Sequence, residues 1–210
     1  MRTDQLIAAL VADRTASAPF VRRLMLSLLA GGLVSLGLFW LTLRPRPDLE
    51  PALETWRFDF KIALMMLTVL LAFGFCRDVA SPIVRPHPAR RLLLSAAAIA
   101  AAIAAELILV PQASWGTRLV GSNSLICMSA IPFFSLAPLA AVLLILRSGA
   151  PASPMLAGAA AGVLAAACGA TLYAFHCFDD SPLFVATWYT LAALPVVAIG
   201  AWAGHRLLRW

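Results

Sequence analysis

The sequence predicts an all-α integral membrane bundle of six transmembrane helices, with a short amphipathic cytoplasmic helix at its amino terminus. Three observations carry that prediction. Apolar residues make up 62% of the 210 positions and charged residues only 12%, with a mean hydropathy of +0.89, well outside the proportions of soluble domains. The apolar residues gather into six windows, each close to the ~20 residues that a helix needs to cross a bilayer. Backbone groups inside lipid must be bonded within their own segment, so continuous runs of this length are helices rather than strands.

The chain divides into residues 1–20, an aqueous segment, and residues 21–210, the membrane domain. In the first segment Thr3 can cap a helix and Asp4 favours its positive end, while Leu6, Ile7, Leu10 and Val11 fall on one face. The polar face mixes Arg2, Asp4, Asp13 and Arg14 instead of being strongly basic. That favours docking of the apolar stripe into a protein groove over lying on lipid. The first span runs from Leu24 to Leu43 and ends at Arg44-Pro45 without a small-residue cleavage site, so it reads as a retained helix rather than a secretory signal. An outer loop with Trp56 and Phe58 leads to the second span, Phe60 to Phe75. A proline-rich inner loop, Arg77 to Arg91, precedes the third span, Leu92 to Val110. The fourth, Ile126 to Leu146, holds Pro132 and Pro138; the fifth, Met155 to Phe175, is rich in alanine and glycine; the sixth, Phe184 to His205, holds Pro195. These prolines predict kinks. The small residues at Ala96 to Ala105 and at Ala157 to Ala170, with Gly158, Gly162 and Gly169, predict packing faces.

An even number of spans puts both termini on one side. That side carries Arg2, Arg14, Arg22, Arg23, Arg77, Arg85, Arg90, Arg91, Arg147, Arg206 and Arg209; the other carries only Arg44, Arg46, Arg57, Lys61 and Arg118. The positive-inside rule therefore places both termini in the cytoplasm. The net charge of +6 has the same origin. Its arginines are scattered over short segments without interleaved aromatics, which argues against direct nucleic-acid binding. On the far side Asp48, Glu50, Glu54 and Asp59 are available to offset the basic residues.

Two features can carry chemistry. Glu106 is the one acidic residue placed inside a span, and a buried ionisable group opens the reading of a proton or small-solute transporter. It sits about one turn from the predicted helix end, within reach of the interface, and no second buried carboxylate or basic residue completes a relay. The four cysteines separate by depth. Cys76 lies at the cytoplasmic end, where thiols stay reduced, and Cys168 sits among alanines as a small apolar residue. Cys127 and Cys177 both fall at the outer end. Measured from the turn near Ala150 and Pro151, their depths differ by only about 5 Å at helical rise. A facing pair there can form a structural disulfide, switch redox state, or bind a soft metal ion with His176, Asp179 or Asp180. Cys-x-x-Cys is absent, which counts against a membrane thiol oxidoreductase, and no catalytic triad, phosphate loop or metalloprotease helix occurs. No enzyme activity and no cofactor are expected.

Three stretches carry a resemblance: Arg2 to Leu10, Gly121-Ser122-Asn123-Ser124-Leu125-Ile126-Cys127 leading to Ile131-Pro132, and Thr171 to Cys177 continuing through Asp180-Ser181-Pro182-Leu183-Phe184 to Trp188-Tyr189. Together they resemble the NrsF-type membrane anti-sigma factors, negative regulators of extracytoplasmic-function sigma factors of the sigma-F kind. The resemblance implies a bacterial inner-membrane protein that holds a sigma factor and releases it under oxidising or heavy-metal stress such as chromate or cadmium. It maps the family's two characteristic cysteines onto Cys127 and Cys177, the pair that the depth argument also selects. It assigns sigma-factor contact to the segment around Asp4, Leu6, Ile7, Leu10 and Val11.

Overall fold

The computed structural model describes residues 20–81 and 86–208. All the long elements among them are helices, and six are long and apolar enough to cross a membrane, as in a multi-pass membrane protein. They are α1 (Phe20–Thr42), α2 (Trp56–Val79), α3 (Leu93–Leu109), α4 (Ser124–Leu146), α5 (Pro154–Ala174) and α6 (Thr190–Leu207). A 3-10 turn, Pro88–Leu92, leads into α3; a helical turn Pro182–Phe184 and a π-helical turn Val185–Tyr189 lead into α6. Each predicted window coincides with one of these helices. Helix α2 extends about one turn further at either end than apolarity alone indicates, because polar residues finish it. Thr55 accepts a capping hydrogen bond from the Phe58 amide, Asp59 lies in the first turn and Arg77 in the last, each matched to the helix dipole. The amino-terminal segment expected to dock a partner, with Asp4, Leu6, Ile7, Leu10 and Val11, lies outside the described residues.

The connections sort to two ends. At the near end, Gly149 lies against Phe20 and the Ala80 carbonyl, and Gly204 against Pro154. The far end gathers residues 43–55, 110–123 and 175–181. Between them α5 is the most enclosed helix and α3 the least. Helix α5 earns that position through its small residues. A Cβ added at Gly158 would lie 2.2 Å from the Gly200 carbonyl oxygen, one at Gly162 2.7 Å from Val197 Cα, and one at Gly169 2.7 Å from the Ile131 carbonyl oxygen. Glycine at 158 and 162 on α5 thus faces glycine at 200 and 204 on α6, a close approach that lipid-embedded helices reach only with small side chains. Helix α3 corrects the alanine-based expectation: only Ala102 and Glu106 of its residues are buried. Alanine facing lipid carries no penalty, so its abundance does not by itself mark a packed face.

Helix α4 runs through Pro132 and Pro138, and α6 through Pro195. Pro138 has no N–H to offer the Phe134 carbonyl one turn back. The fully buried Ser35 on α1 supplies the missing bond, its hydroxyl donating to Phe134 O at 2.7 Å. One turn along α1, Gly31 allows the approach, since a Cβ there would lie 2.8 Å from Pro138 Cα.

Gly158→Ala is expected to destabilise the bundle by about 1–3 kcal/mol, because the new methyl meets backbone that cannot rotate away. Gly32→Ala, where nothing lies within 4 Å of the added carbon, is expected to be neutral or slightly stabilising. Thermal unfolding of the two variants in one detergent checks the contrast.

Candidate functional site

The connection after α5 organises the far end. Backbone bonds from His176 and Cys177 to the Tyr173 carbonyl close the helix. Ser181 then caps the lead-in to α6, accepting from the Leu183 amide with Pro182 at the first helical position. Between these points, three successive side chains reach three different parts of the protein.

Asp179 turns to the start of α4. Its Oδ2 accepts from the amides of Ser122 at 3.0 Å and Asn123 at 2.9 Å, and from Asn123 Nδ2 at 3.1 Å. A carboxylate is well placed there, because the first amides of a helix lack intrahelical partners and carry its positive end. The turn requires glycine: Gly121 has φ +60°, and a Cβ would lie 2.5 Å from Phe184 and 2.7 Å from Asp179 Cγ. Asp180 takes two cations. Lys61 Nζ forms a close ion pair with Oδ1, and Arg46 Nη1 lies 2.9 Å from Oδ2. Both cations also donate to the Cys177 carbonyl, at 3.0 and 3.3 Å. Lys61 is 1% exposed and Arg46 8%. Arg46 completes its shell with a bidentate pair to Asp48, at 2.8 and 2.7 Å, and stacks over Phe178 and Phe58. The hydrogen bonds to Asp48 lead in raising the Arg46 pKa, and the same guanidinium lowers that of Asp48.

Ser181 donates to Glu106 Oε2 at 2.8 Å. Glu106 is fully buried on α3, and Arg118 Nη1 lies 3.1 Å and Arg57 Nε 3.7 Å from its Oε1. Two sequence expectations change here. Glu106 is enclosed by the protein: Arg57 from the first turn of α2 and Arg118 from the connection before α4 pair with it. The far-side bases are met chiefly by Asp180 and Glu106, with only Asp48 of the four nearby loop acids joining in an ion pair with Arg46. Read along the chain, Lys61 groups with the loop charges, and the structure brings it into the site instead. Its signal was nonetheless present, as the chain's single lysine, one residue inside an apolar run.

Cys127 and Cys177 are both fully buried and pack in one cluster with Tyr173, Phe184 and Tyr189. Both are free thiols, as are Cys76 and Cys168. The Cys177 thiol points to the Asp179 carbonyl oxygen, 3.7 Å away. Burial pushes its pKa up, with the Lys61 ammonium opposing, so the neutral thiol is the resting form. Tyr173 Oη donates to the Asn123 carbonyl at 3.2 Å, whereas the buried Tyr189 Oη has no hydrogen-bond partner. The five residues expected as a metal set do not converge. His176 Nδ1 lies 2.9 Å from the Arg44 carbonyl oxygen, Asp179 is held at α4 and Asp180 by its cations. Among the described residues no group of three His, Cys, Asp or Glu is placed to hold a metal ion. The arrangement buries both thiols in one cluster, with the cations of Asp180 bonded to the Cys177 carbonyl.

Comparison with known proteins gives concordant matches. The family model described as NrsF, negative regulator of sigma F, matches residues 9–210. The chain is 36% identical, over the full length of both proteins, to "Anti-sigma-F factor NrsF" of Caulobacter vibrioides (strain NA1000 / CB15N). It is 42% identical over 86 residues, 41% of this chain and 38% of the relative, to "Probable anti-sigma-F factor NrsF" of Azospira oryzae. No solved structure matches.

Asp180→Ala strands the buried Lys61 ammonium and is expected to cost about 3–5 kcal/mol. Asp48→Ala, at a half-exposed carboxylate, is expected to cost about 1 kcal/mol or less. The Lys61→Met/Asp180→Asn double variant should recover part of the Asp180→Ala loss; thermal unfolding orders the three. Cys177 in intact membranes is expected to react with N-ethylmaleimide at least ~10-fold more slowly than a cysteine introduced at its exposed neighbour Phe178, and to match it after denaturation.

Proposed function

The chain belongs to the NrsF family of negative regulators of sigma F, and on that premise we propose that it is a membrane-bound anti-sigma factor for an extracytoplasmic-function sigma factor. It holds the sigma factor at the bacterial inner membrane and releases it under heavy-metal or oxidative stress. The observation that carries the sensing part is the burial of Cys127 and Cys177 in one cluster at the end of the bundle opposite the near end. The near end, where Phe20 and Leu208 lie, is the arginine-rich one and is assigned to the cytoplasm by the positive-inside rule. Sigma-factor docking is assigned to residues 1–20, through Leu6, Ile7, Leu10 and Val11 on the apolar stripe and Asp4 at its start.

Burial defines how such a sensor works. A neutral thiol pair shielded from water reacts or binds only when its cover opens, so a stimulus favours the open state by the free energy of the bond it makes there. With an oxidant, the pair gives up two electrons and two protons as the disulfide forms, and the oxidant is reduced. With a soft cation, the thiols lose their protons as two sulfur ligands bind. Asp180, ion-paired through both carboxylate oxygens, can add a third ligand only by giving up a cation, so metal binding there and loss of a far-end tie are linked. Glu106, on which the transporter reading rests, is engaged by Arg118 and Ser181, which supports a structural role.

Full-length protein in membranes should co-purify with its sigma factor, and Leu6→Asp or Leu10→Asp should abolish this without loss of insertion. Cys127→Ser/Cys177→Ser should retain the sigma factor after cadmium or diamide treatment that releases it from the unsubstituted protein. Normal release from the double serine variant would sink the sensor.

A further inference from the structure

We propose that Ser181 and Glu106 are positioning residues that couple the Cys177 connection to α3, so that α3 carries a change at the thiol pair to the near end. The proposal rests on the anti-sigma reading and names the element that transmits within it. The Ser181 hydroxyl reaches α3 at Glu106, at 2.8 Å, only four residues after Cys177. Glu106 is one of just two buried residues of α3, and the polar one. The Arg57 and Arg118 contacts hold the carboxylate at this point, so a shift of Ser181 pulls on the same group that fixes the helix.

The rest of α3 leaves room for it to respond. It is the least enclosed of the six helices. A cavity of about 300 Å³ separates it from α2, α5 and α6, bounded by Leu64, Thr68, Ser95, Ile99, Ala167 and Tyr189. Across this gap, Thr68 and Ser95 join through their hydroxyls at 3.1 Å. Tyr189 belongs at once to the cavity wall and to the thiol cluster. At the near end α3 continues from Arg91, whose Nε lies 3.0 Å from Asp78 of α2. A loosely held helix, pinned at its far end to the sensing connection, is the element able to move with the least loss of packing.

The test uses full-length protein in its native membrane, a sigma-dependent reporter, and cadmium or diamide as stimulus. Ser181→Ala and Glu106→Ala are expected to keep repression without stimulus and to lose roughly tenfold or more of the induction, the double variant losing no more than either alone. Ser181→Thr, whose hydroxyl can still donate to Glu106, should keep most of it, a rescue that general loss of packing would not produce. Induction of Ser181→Ala equal to the unsubstituted protein overturns the proposal. If Glu106→Ala fails to insert, Ser181→Ala decides alone. A nitroxide on Leu94→Cys, exposed on α3, gives a readout that needs no sigma factor. Its lineshape should respond to stimulus in the otherwise unsubstituted chain and not with Ser181→Ala; an equal response in both overturns the coupling. Failure of the anti-sigma reading is separately visible as absence of sigma-factor binding.

Discussion

A lysine ammonium that is 1% exposed needs a full counter-charge within reach, and Asp180 supplies it to Lys61 while also pairing with Arg46. Removing one member of such a group leaves an uncompensated buried charge, so the geometry is strongly enforced. Asp180 stands between Asp179, which is fixed on the amides that open α4, and Ser181, which is fixed on Glu106 of α3. The three neighbours therefore tie the first connection, α2, α3 and the start of α4 to one short piece of chain. Cys177 is carried by that piece, and its own carbonyl takes two of the charged hydrogen bonds. Cys127 and Cys177 are both fully buried in the cluster next to it.

The membrane solvent explains which parts of this were legible in the sequence. Hydropathy marks the six helices because lipid demands long apolar runs, and their order and approximate limits follow directly. The depth of Cys127 and Cys177 also follows, since helical rise is fixed, and both belong to one buried cluster. Lateral placement does not follow. Lys61, Arg57 and Arg118 look like interface charges when read along the chain, and only the lateral packing of α2 and of the connection before α4 brings them to Asp180 and Glu106. The same limit applies to His176, Asp179 and Asp180: their nearness in sequence suggested a shared ligand set, whereas the turn after α5 sends each to a different partner.

Small residues illustrate the asymmetry from the other side. Glycines 158 and 162 of α5 and 200 and 204 of α6 are spaced one turn apart and admit backbone to backbone. That spacing stands out among the alanines of α5, whereas on α6 it is set among larger residues such as Ile199 and Trp202. The alanines of α3 resemble those of α5 in composition and yet face outward, leaving a helix joined to the bundle mainly at its ends. Tight packing of α5 and loose packing of α3 give one protein a rigid axis and a compliant strut.

The bond from Ser35 to the Phe134 carbonyl bears on how α4 is completed. Helix α4 enters the bilayer with a carbonyl that Pro138 has left without its helical partner, and hydrocarbon offers no water in exchange. The hydroxyl that completes it belongs to the first span, with two helices, α2 and α3, between it and α4 in the chain. Helix α1 thus restores from outside the bond that Pro138 removes from within α4, and Gly31 gives it the closeness to do so.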